Sequence, residues 1–327
     1  MALKTDYKDY IPPSGGRKYK ITANSDGSSS VEDITQYQQV GDTWGAEDIN
    51  QVNKLVNGAV YPSLGTNTNF SNPINQRGAA SYTGDSTSPY CIDRWRISNG
   101  TTYTVGTYTL SAANYANRAC GMWQSNEMGA HQLSIGDDVT VSIYANGKLH
   151  TPTMKVIDRD LYDAFANFPA SYDCDDFEIV LCTYAGDNTM YNLGIYPKKP
   201  LTVNYIKWEK GIVSTPYVPN GYGAELSECL RYYYQVSSVR TFGQQHTGAG
   251  TYVNVILPQV MRVTPTVSAP GEWTIRFNGM DKNATVSSVN SLTGNTLNLT
   301  MSTIAGGTYI GPLYAFYDGK ITFSADL

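Results

Sequence analysis

The sequence predicts a mainly β protein: a short N-terminal helix, a jelly-roll-like β-sandwich, a short linker helix and a C-terminal β-sandwich-type tip domain. Three observations carry this. Glycine and tyrosine are abundant (30 and 26 of 327 residues) while charged residues make up only 16%, which suits strands joined by many tight turns. Short segments alternate strictly: in DVTVSIYAN (138–146), Val139, Val141 and Ile143 fall on one side and Thr140, Ser142 and Tyr144 on the other, as in a strand with one face in a core. Helical spacing is confined to two short stretches, 46–57 and 225–234.

In chain order, residues 1–60 form a turn-rich lead-in. Lys18–Thr22 and Ser30–Asp33 read as a hairpin around Asn24-Ser25-Asp26-Gly27. AEDINQVNKLVN (46–57) places Ile49, Val52 and Val56 on one helical face, with Glu47 and Asp48 in the first turn, where the helix dipole favours acids. A helix this short is marginal alone and needs partners, of which self-association about a three-fold axis is one natural source. Residues 61–222 read as the sandwich, with strands at 104–110, 138–146, 177–185 and 201–211. Pro216, Pro219 and Gly221 close it. AELSECLRYYYQ then interrupts the strand pattern, and residues 223–235 are expected to form a hinge helix. Leu226 and Leu230 lie one turn apart, flank Cys229, and are expected to cover the base of the sandwich. Residues 236–327 return to strands at 251–258, 264–269, 272–277, 296–301 and 319–325.

Composition excludes several functions. The net charge is −5 and no basic stripe occurs, which argues against duplex nucleic acid as a partner. No apolar run approaches the roughly 20 residues of a membrane span, so no membrane insertion is expected. MALKTDYKDYIPP lacks the apolar core of a signal peptide. Five cysteines (Cys91, Cys120, Cys174, Cys182, Cys229) without a CxxC read as reduced thiols. A chain with an extracellular composition and no export signal fits a virion protein made in a host cytoplasm.

Chemistry-bearing motifs are scarce. His131, His150 and His246 stand in no zinc-binding pattern, and no nucleophile elbow, P-loop or dinucleotide fingerprint occurs. The expectation is a non-enzyme without a cofactor. Asp173, Asp175 and Asp176, with Glu178, form a weak calcium candidate; a solvated loop is the favoured reading. Glycoside hydrolysis depends on the separation of two carboxylates, which a sequence does not encode. Asp93, Trp95 and Trp208 read as structural: Asp93 and Trp95 are expected to share one strand face, with Arg94 on the other. Candidate sugar platforms are Trp123 with its neighbour Gln124, then Trp273 and Tyr309, and a group of Tyr314 and Tyr317 with Asp318.

Several motifs also carry a family likeness. Asn69-Phe70-Ser71-Asn72-Pro73-Ile74-Asn75-Gln76-Arg77-Gly78 is followed by Cys91-Ile92-Asp93-Arg94-Trp95; later come Tyr205-Ile206-Lys207-Trp208-Glu209-Lys210-Gly211 and Thr215-Pro216-Tyr217. Leu226-Ser227-Glu228-Cys229-Leu230-Arg231-Tyr232-Tyr233 and Met261-Arg262-Val263-Thr264-Pro265-Thr266 complete the series. In this order they resemble tail-fibre and receptor-binding proteins of bacteriophages and prophages, and the N-terminal segments resemble the attachment region of gut-type Firmicutes phage fibres. Leu230 stands where Gln is common in that family, and Lys210 where an apolar residue is. The resemblance implies a homotrimeric adhesin of the virion tail. It would be held to other tail or baseplate proteins by its N-terminal region and would bind a bacterial cell-surface glycan, with the tip domain favoured for the receptor. The alternatives are a structural baseplate or fibre component without a receptor site and a glycan depolymerase.

Overall fold

The computed structural model describes residues 13–37, 49, 52, 63–115, 120–161, 169, 171–184, 186–246, 250–302 and 311–325. The chain divides into two compact units, 1–61 and 62–327. In the first, β1 (Tyr19–Ala23) and β2 (Ser29–Asp33) pair antiparallel from Tyr19↔Asp33 to Ala23↔Ser29, as expected. Asp26 ties the turn by accepting from the Ser28 amide and hydroxyl at 2.9 and 2.6 Å. The helix expected over 46–57 lies outside the described residues except for Ile49 and Val52, both helical.

The second unit is mainly β. Its first part runs through β3 (Ser81–Thr83), β4 (Arg96–Ile97), β5 (Thr101–Thr104), β6 (Thr109–Ala112), β7 (Met122–Glu127), β8 (Asp138–Ala145), β9 (Lys148–His150), β10 (Thr153–Lys155), β11 (Tyr172–Asp173), β12 (Phe177–Tyr184), β13 (Asp187–Pro197) and β14 (Leu201–Lys210). One sheet has the order β10-β8-β14-β6-β5-β3, with β9 also on β8; the other has the order β11-β12-β13-β7-β4. Their inward residues share one core, to which Val139, Val141, Ile143 and Trp208 come from the first sheet and Met122, Ile179, Leu193 and Ile195 from the second. The strand expected at 104–110 is instead two: β5 and β6 are joined by a turn over Val105–Tyr108, where Tyr108 adopts φ 43°.

The aromatic centre of this core is a tilted series: Phe70 lies 5.1 Å from Trp95 and 5.9 Å from Tyr103, and Trp95 meets Trp208 edge-on at 6.2 Å. Each indole N–H has an acceptor, as a buried donor requires. Trp95 donates to the Asn67 carbonyl and Trp208 to the Tyr191 hydroxyl, both at 2.9 Å. Gly65 passes so close to the Trp208 ring that a Cβ there would sit 1.8 Å from it, so only glycine fits.

Alternation along β14 explains the KWEKG…TPY motif. Trp208 enters the core, so Lys207 and Glu209 face the other side, where residues 211–217 strap across them. Glu209 accepts from the Thr215 amide and hydroxyl at 2.8 and 2.6 Å, Lys207 donates to Thr215, and the two charges lie 3.2 Å apart, both buried. A buried pair of this kind persists because its remaining valences are also filled. Tyr205 stacks on Tyr217 at 4.2 Å, continuing the strap.

Helix α1 spans Tyr222–Leu230 rather than 225–234, and β15 (Tyr233–His246) begins within the tyrosine run. The buried positions of α1 are Glu225 and Cys229; Leu226 and Leu230 are half-buried, correcting the expectation that the leucines form the sealing face. Glu225 accepts from the Asn67 amide and from Asn220. The three tyrosines each have a ring partner: Arg94 lies 3.6 Å over Tyr232, Arg77 3.8 Å over Tyr233, and Tyr234 stacks on Phe323. The stretch expected to act as a hinge helix between two domains is thus held by contacts on both sides.

After β15 come β16 (Gly250–Ile256), β17 (Thr266–Ser268), β18 (Trp273–Phe277), β19 (Met280–Ala284), β20 (Val286–Thr293), β21 (Thr296–Met301) and β22 (Gly311–Ser324). They form one sheet of order β19-β18-β22-β15-β16-β21-β20, with β17 also on β22. Its own core contains Val253, Trp273, Ile275, Leu299, Leu313, Ala315, Tyr317 and Phe323.

Asn67 links these parts. It is buried with φ 57°, a left-handed conformation that Asn tolerates. Its side chain donates to the carbonyls of Ile74 and Asp93 at 2.9 and 2.7 Å and accepts from the Ile74 amide at 2.7 Å. Asn67→Ala should destabilise the protein by about 3 kcal/mol or more, because it strands several buried donors and acceptors at once; urea unfolding checks this. A second expectation concerns pH. His131 Nδ1 lies 2.6 Å from the Tyr191 hydroxyl, and burial, then the Arg94 charge, hold its pKa below 6.5 against the opposing pull of Glu127. The unfolded chain therefore takes up this proton first. Stability should be unaffected by His131 above pH 6.5 and should decline as pH falls below it. Melting curves between pH 7.5 and 5.5 should show a smaller decline in His131→Gln.

Candidate functional site

Among the described residues, the outward face of the eight-stranded sheet gathers a run of exposed aromatic side chains. Strand alternation creates it. Along β22, Leu313, Ala315 and Tyr317 enter the core, so Pro312, Tyr314, Phe316 and Asp318 point outward. Along β15, Arg240, Phe242 and Gln244 do the same, and the register places Phe242 opposite Tyr314 and Arg240 opposite Phe316. Phe242 is 72% exposed, although it is a large apolar residue in the middle of a strand.

The rings form a short run. Phe242 meets Tyr314 at 5.4 Å, and Tyr314 meets Phe316 at 5.9 Å. Arg240 and Arg276 sit over Phe316 at 5.2 and 5.6 Å. Both arginines are also neutralised: Arg240 pairs with Asp318 at 2.5 Å, and Arg276 holds Asp281 in a two-pronged pair at 2.6 and 2.7 Å. The Arg276 hydrogen bonds hold the Asp281 carboxyl below its usual range. The face carries charges but little net charge.

Beside the rings lies a hollow of about 480 Å³ lined by Phe242, Gln244, Tyr252, Asn254, Asn298 and Pro312, with Gly243 at its floor. A Cβ at Gly243 would approach the Tyr252 carbonyl to 2.0 Å, so a glycine is required for β15 to lie this close to β16. Asn298 Nδ2 donates to Asn254 Oδ1 at 3.0 Å, which orients both amides on the rim. Flat apolar rings beside fixed amides are the chemistry of saccharide recognition: ring faces take C–H groups, and amides take hydroxyls.

The sequence-derived candidates divide sharply. Tyr314 and Asp318 lie on this face. Tyr317, expected to join them, is its core-facing neighbour and packs on Trp273 at 5.3 Å. Trp273 is 0% exposed, so neither it nor Tyr317 can present a ring to a ligand. Tyr309 lies outside the described residues. Gln124 is also buried, and both ends of its amide are used on the Thr66 backbone, at 3.0 and 2.6 Å. Trp123 is half-buried on the outward face of the five-stranded sheet. There it ends a cation–aromatic series in which Arg96 lies 6.0 Å from Trp123 and 5.2 Å from Tyr90, and Arg77 5.1 Å from Tyr90. Trp95 and Trp208 are core residues as expected. Asp93 stands in a turn and not a strand, accepting from Gln76 and Arg77, and Arg94 is buried along with it.

The calcium candidate resolves into ion pairs. Asp173 meets Lys198, Asp176 meets Lys199, and Asp175 is exposed. Among the described residues no three His, Cys, Asp or Glu side chains converge as a metal site would need. Among the same residues no helix is long and apolar enough to cross a membrane. The residues that sequence reasoning missed are Phe242, Phe316, Tyr252, Asn254 and Asn298. The alternation of GPLYAFYD signals the first half of β22, but the pairing that brings Phe242 to Tyr314 spans 72 positions and has no local signal.

Comparison with protein-family models, curated proteins and solved structures returns no match.

Phe242→Ser should change stability by no more than about 0.5 kcal/mol, since it alters an exposed ring, whereas Trp273→Ala should cost about 3–5 kcal/mol. Chemical denaturation of the two variants separates a surface platform from a core residue.

Proposed function

We propose that this chain is a phage tail-fibre or receptor-binding protein that attaches a virion to the bacterial surface by binding a neutral glycan. The observation that carries the reading is the exposed, charge-balanced aromatic face around Phe242, Tyr314 and Phe316, with Asn254 and Asn298 on its rim. A monomeric protein gains nothing from holding a phenylalanine in water, so such a face suits a partner. With Arg240 and Arg276 paired, Lys320 is left as a lone exposed cation on β22, a weak match for a polyanionic polymer, while ring faces and amides suit uncharged sugars.

In this reading the two-sheet module is the jelly-roll-like stem, the eight-stranded module is the tip, and the N-terminal region joins other tail or baseplate proteins. The protein acts as a homotrimer, without a cofactor, on the virion tail after synthesis in the host cytoplasm. Three weak sites on one axis then bind together with an avidity above that of any one. A depolymerase is less well supported. A glycosidase needs one carboxyl raised towards neutrality. Of the acids that line the cleft beside Glu127, Asp187 is instead held low by the Thr189 hydroxyl and amide.

The test is adsorption. Labelled protein should bind intact host cells, lose binding after periodate oxidises their sugars, and bind at least about tenfold less well as Phe242→Ser. Light scattering should give a species near 107 kDa, about three times the 35.8 kDa chain. Unchanged adsorption by Phe242→Ser would favour a structural tail component, and release of reducing ends from host polysaccharide would favour an enzyme.

A further inference from the structure

Strand register gives the hollow beside Phe242 a direction. Its side-chain walls come from two rows that cross the sheet. One row is Phe242 on β15, Asn254 on β16 and Asn298 on β21; the other is Pro312 on β22, Gln244 on β15 and Tyr252 on β16. The pairings Pro312↔Gln244, Gln244↔Tyr252 and Asn254↔Asn298 set these rows, and the position next to Gly243↔Val253 puts Phe242 opposite Asn254. The hollow therefore spans four strands, about 14 Å at the usual strand spacing, but only about 7 Å along each strand. It is a groove that runs across the strands. We propose that it takes an internal stretch of an extended, uncharged, β-1,4-linked polysaccharide, with about one sugar to each strand.

Charge excludes the ionised polymers. Two rings, three amides and a proline form the walls, and none of them carries a charge. An acidic or basic sugar would lose hydration in the groove without gaining an ion pair there, whereas a neutral sugar keeps hydroxyl bonds to the amides.

The order of the walls supplies the linkage. On β15 the ring, Phe242, stands in the first row and the amide, Gln244, in the second. On β16 the order is reversed, with the amide, Asn254, in the first row and the ring, Tyr252, in the second. Successive positions along the groove thus present ring and amide on alternating sides. In an extended β-1,4-linked chain each sugar is flipped relative to the last, so its diol edge and its C–H-rich C5–C6 edge also change sides at every unit. Diols suit amides, and C–H groups suit rings. One such sugar advances by close to the strand spacing of about 5 Å, so the two alternations stay in step. An α-1,4-linked chain coils instead and does not match them.

The groove is also prepared for a chain. The Thr241 hydroxyl donates to the Asn254 carbonyl and holds β16 against β15. The bond from Asn298 Nδ2 to Asn254 Oδ1 leaves Asn254 Nδ2 to donate to a ligand and Asn298 Oδ1 to accept from it. Past the groove the sheet continues to β20 on one side and to β18 on the other, and Tyr314 extends the row of Phe242. A polymer longer than the groove therefore lies on further sheet, which suits the interior of a chain over its end.

The inference rests on the attachment reading for the choice of a glycan, but its test uses no cells. Calorimetric titration of the full chain compares cellotetraose and β-1,4-mannotetraose with maltotetraose, an α-1,4-linked chain of equal length, and with cellobiose. At least one β-1,4-linked tetraose should bind at least about tenfold more tightly than both maltotetraose and cellobiose. Gln244→Ala and Asn254→Ala, both exposed changes, should each weaken that binding at least about tenfold and leave the melting temperature at the wild-type value. Absence of binding by both β-1,4-linked tetraoses would overturn the inference. So would equal binding of maltotetraose or cellobiose, or tetraose binding that both amide variants leave intact. If the protein adsorbs to cells through periodate-sensitive sugars and the tetraoses show no preference for linkage, the β-1,4 assignment falls and the attachment reading stands. If the preference is found and adsorption fails, the attachment reading falls and the groove assignment stands.

Discussion

Everything between the two cores depends on how one asparagine is satisfied. Asn67 sits buried in a left-handed turn, and its polar atoms reach Glu225 on α1, Trp95 in the core, the Ile74 loop and the Asp93 turn. Water cannot replace these bonds at a site this closed, so the loop, the turn and the helix are held in one arrangement. The neighbouring backbone follows. The Leu64 and Ser71 amides donate to the Trp208 and Asn204 carbonyls of β14, and the Ile206 amide of β14 donates to the Thr68 carbonyl, which lays residues 64–71 along that strand. The Asn69-Phe70-Ser71 stretch therefore delivers Phe70 to the aromatic centre.

The same logic governs the joint between the two modules. Cation–aromatic contacts to Tyr232 and Tyr233 are strong only when the cation is desolvated and held, and here both arginines are. Arg77 is anchored on Asp93, and Arg94 on the Ser125 carbonyl and the Asn126 side chain. Gln76 donates to the Tyr233 carbonyl at 2.8 Å, and Ala325 to the Tyr232 carbonyl at 2.7 Å. The tyrosine run is thus shared between modules: the rings of Tyr232 and Tyr233 meet the first, the Tyr234 ring meets the second, and the backbone begins a central strand of the second. Two modules held through one shared segment in this way are tied to each other at both its rings and its backbone.

Two kinds of aromatic residue emerge. Those on core-facing positions have their polar ends satisfied or sealed, as with Trp95, Trp208 and Tyr191. Those around Phe242 stand in solvent with their charged neighbours already paired. Burying the first group holds the fold; exposing the second lowers solubility slightly and is retained only if something covers it.

The sequence by itself determined the β class, the N-terminal hairpin, a short helix between strand-rich stretches, and the core positions of Trp95 and Trp208. These follow from local periodicity and turn chemistry, which act over a few residues. It did not determine which face of a strand meets a core. Tyr314 and Tyr317 look alike in a linear reading, yet a three-residue offset in a period-two strand sends them to opposite sides. Gln124 and Trp123 part in the same way. Long-range pairing decided the rest: Phe242 against Tyr314, Glu225 against Asn67, and Arg262 against Glu127 join residues 72, 158 and 135 positions apart. Such partners are selected by the packing of whole sheets, and no local pattern carries them.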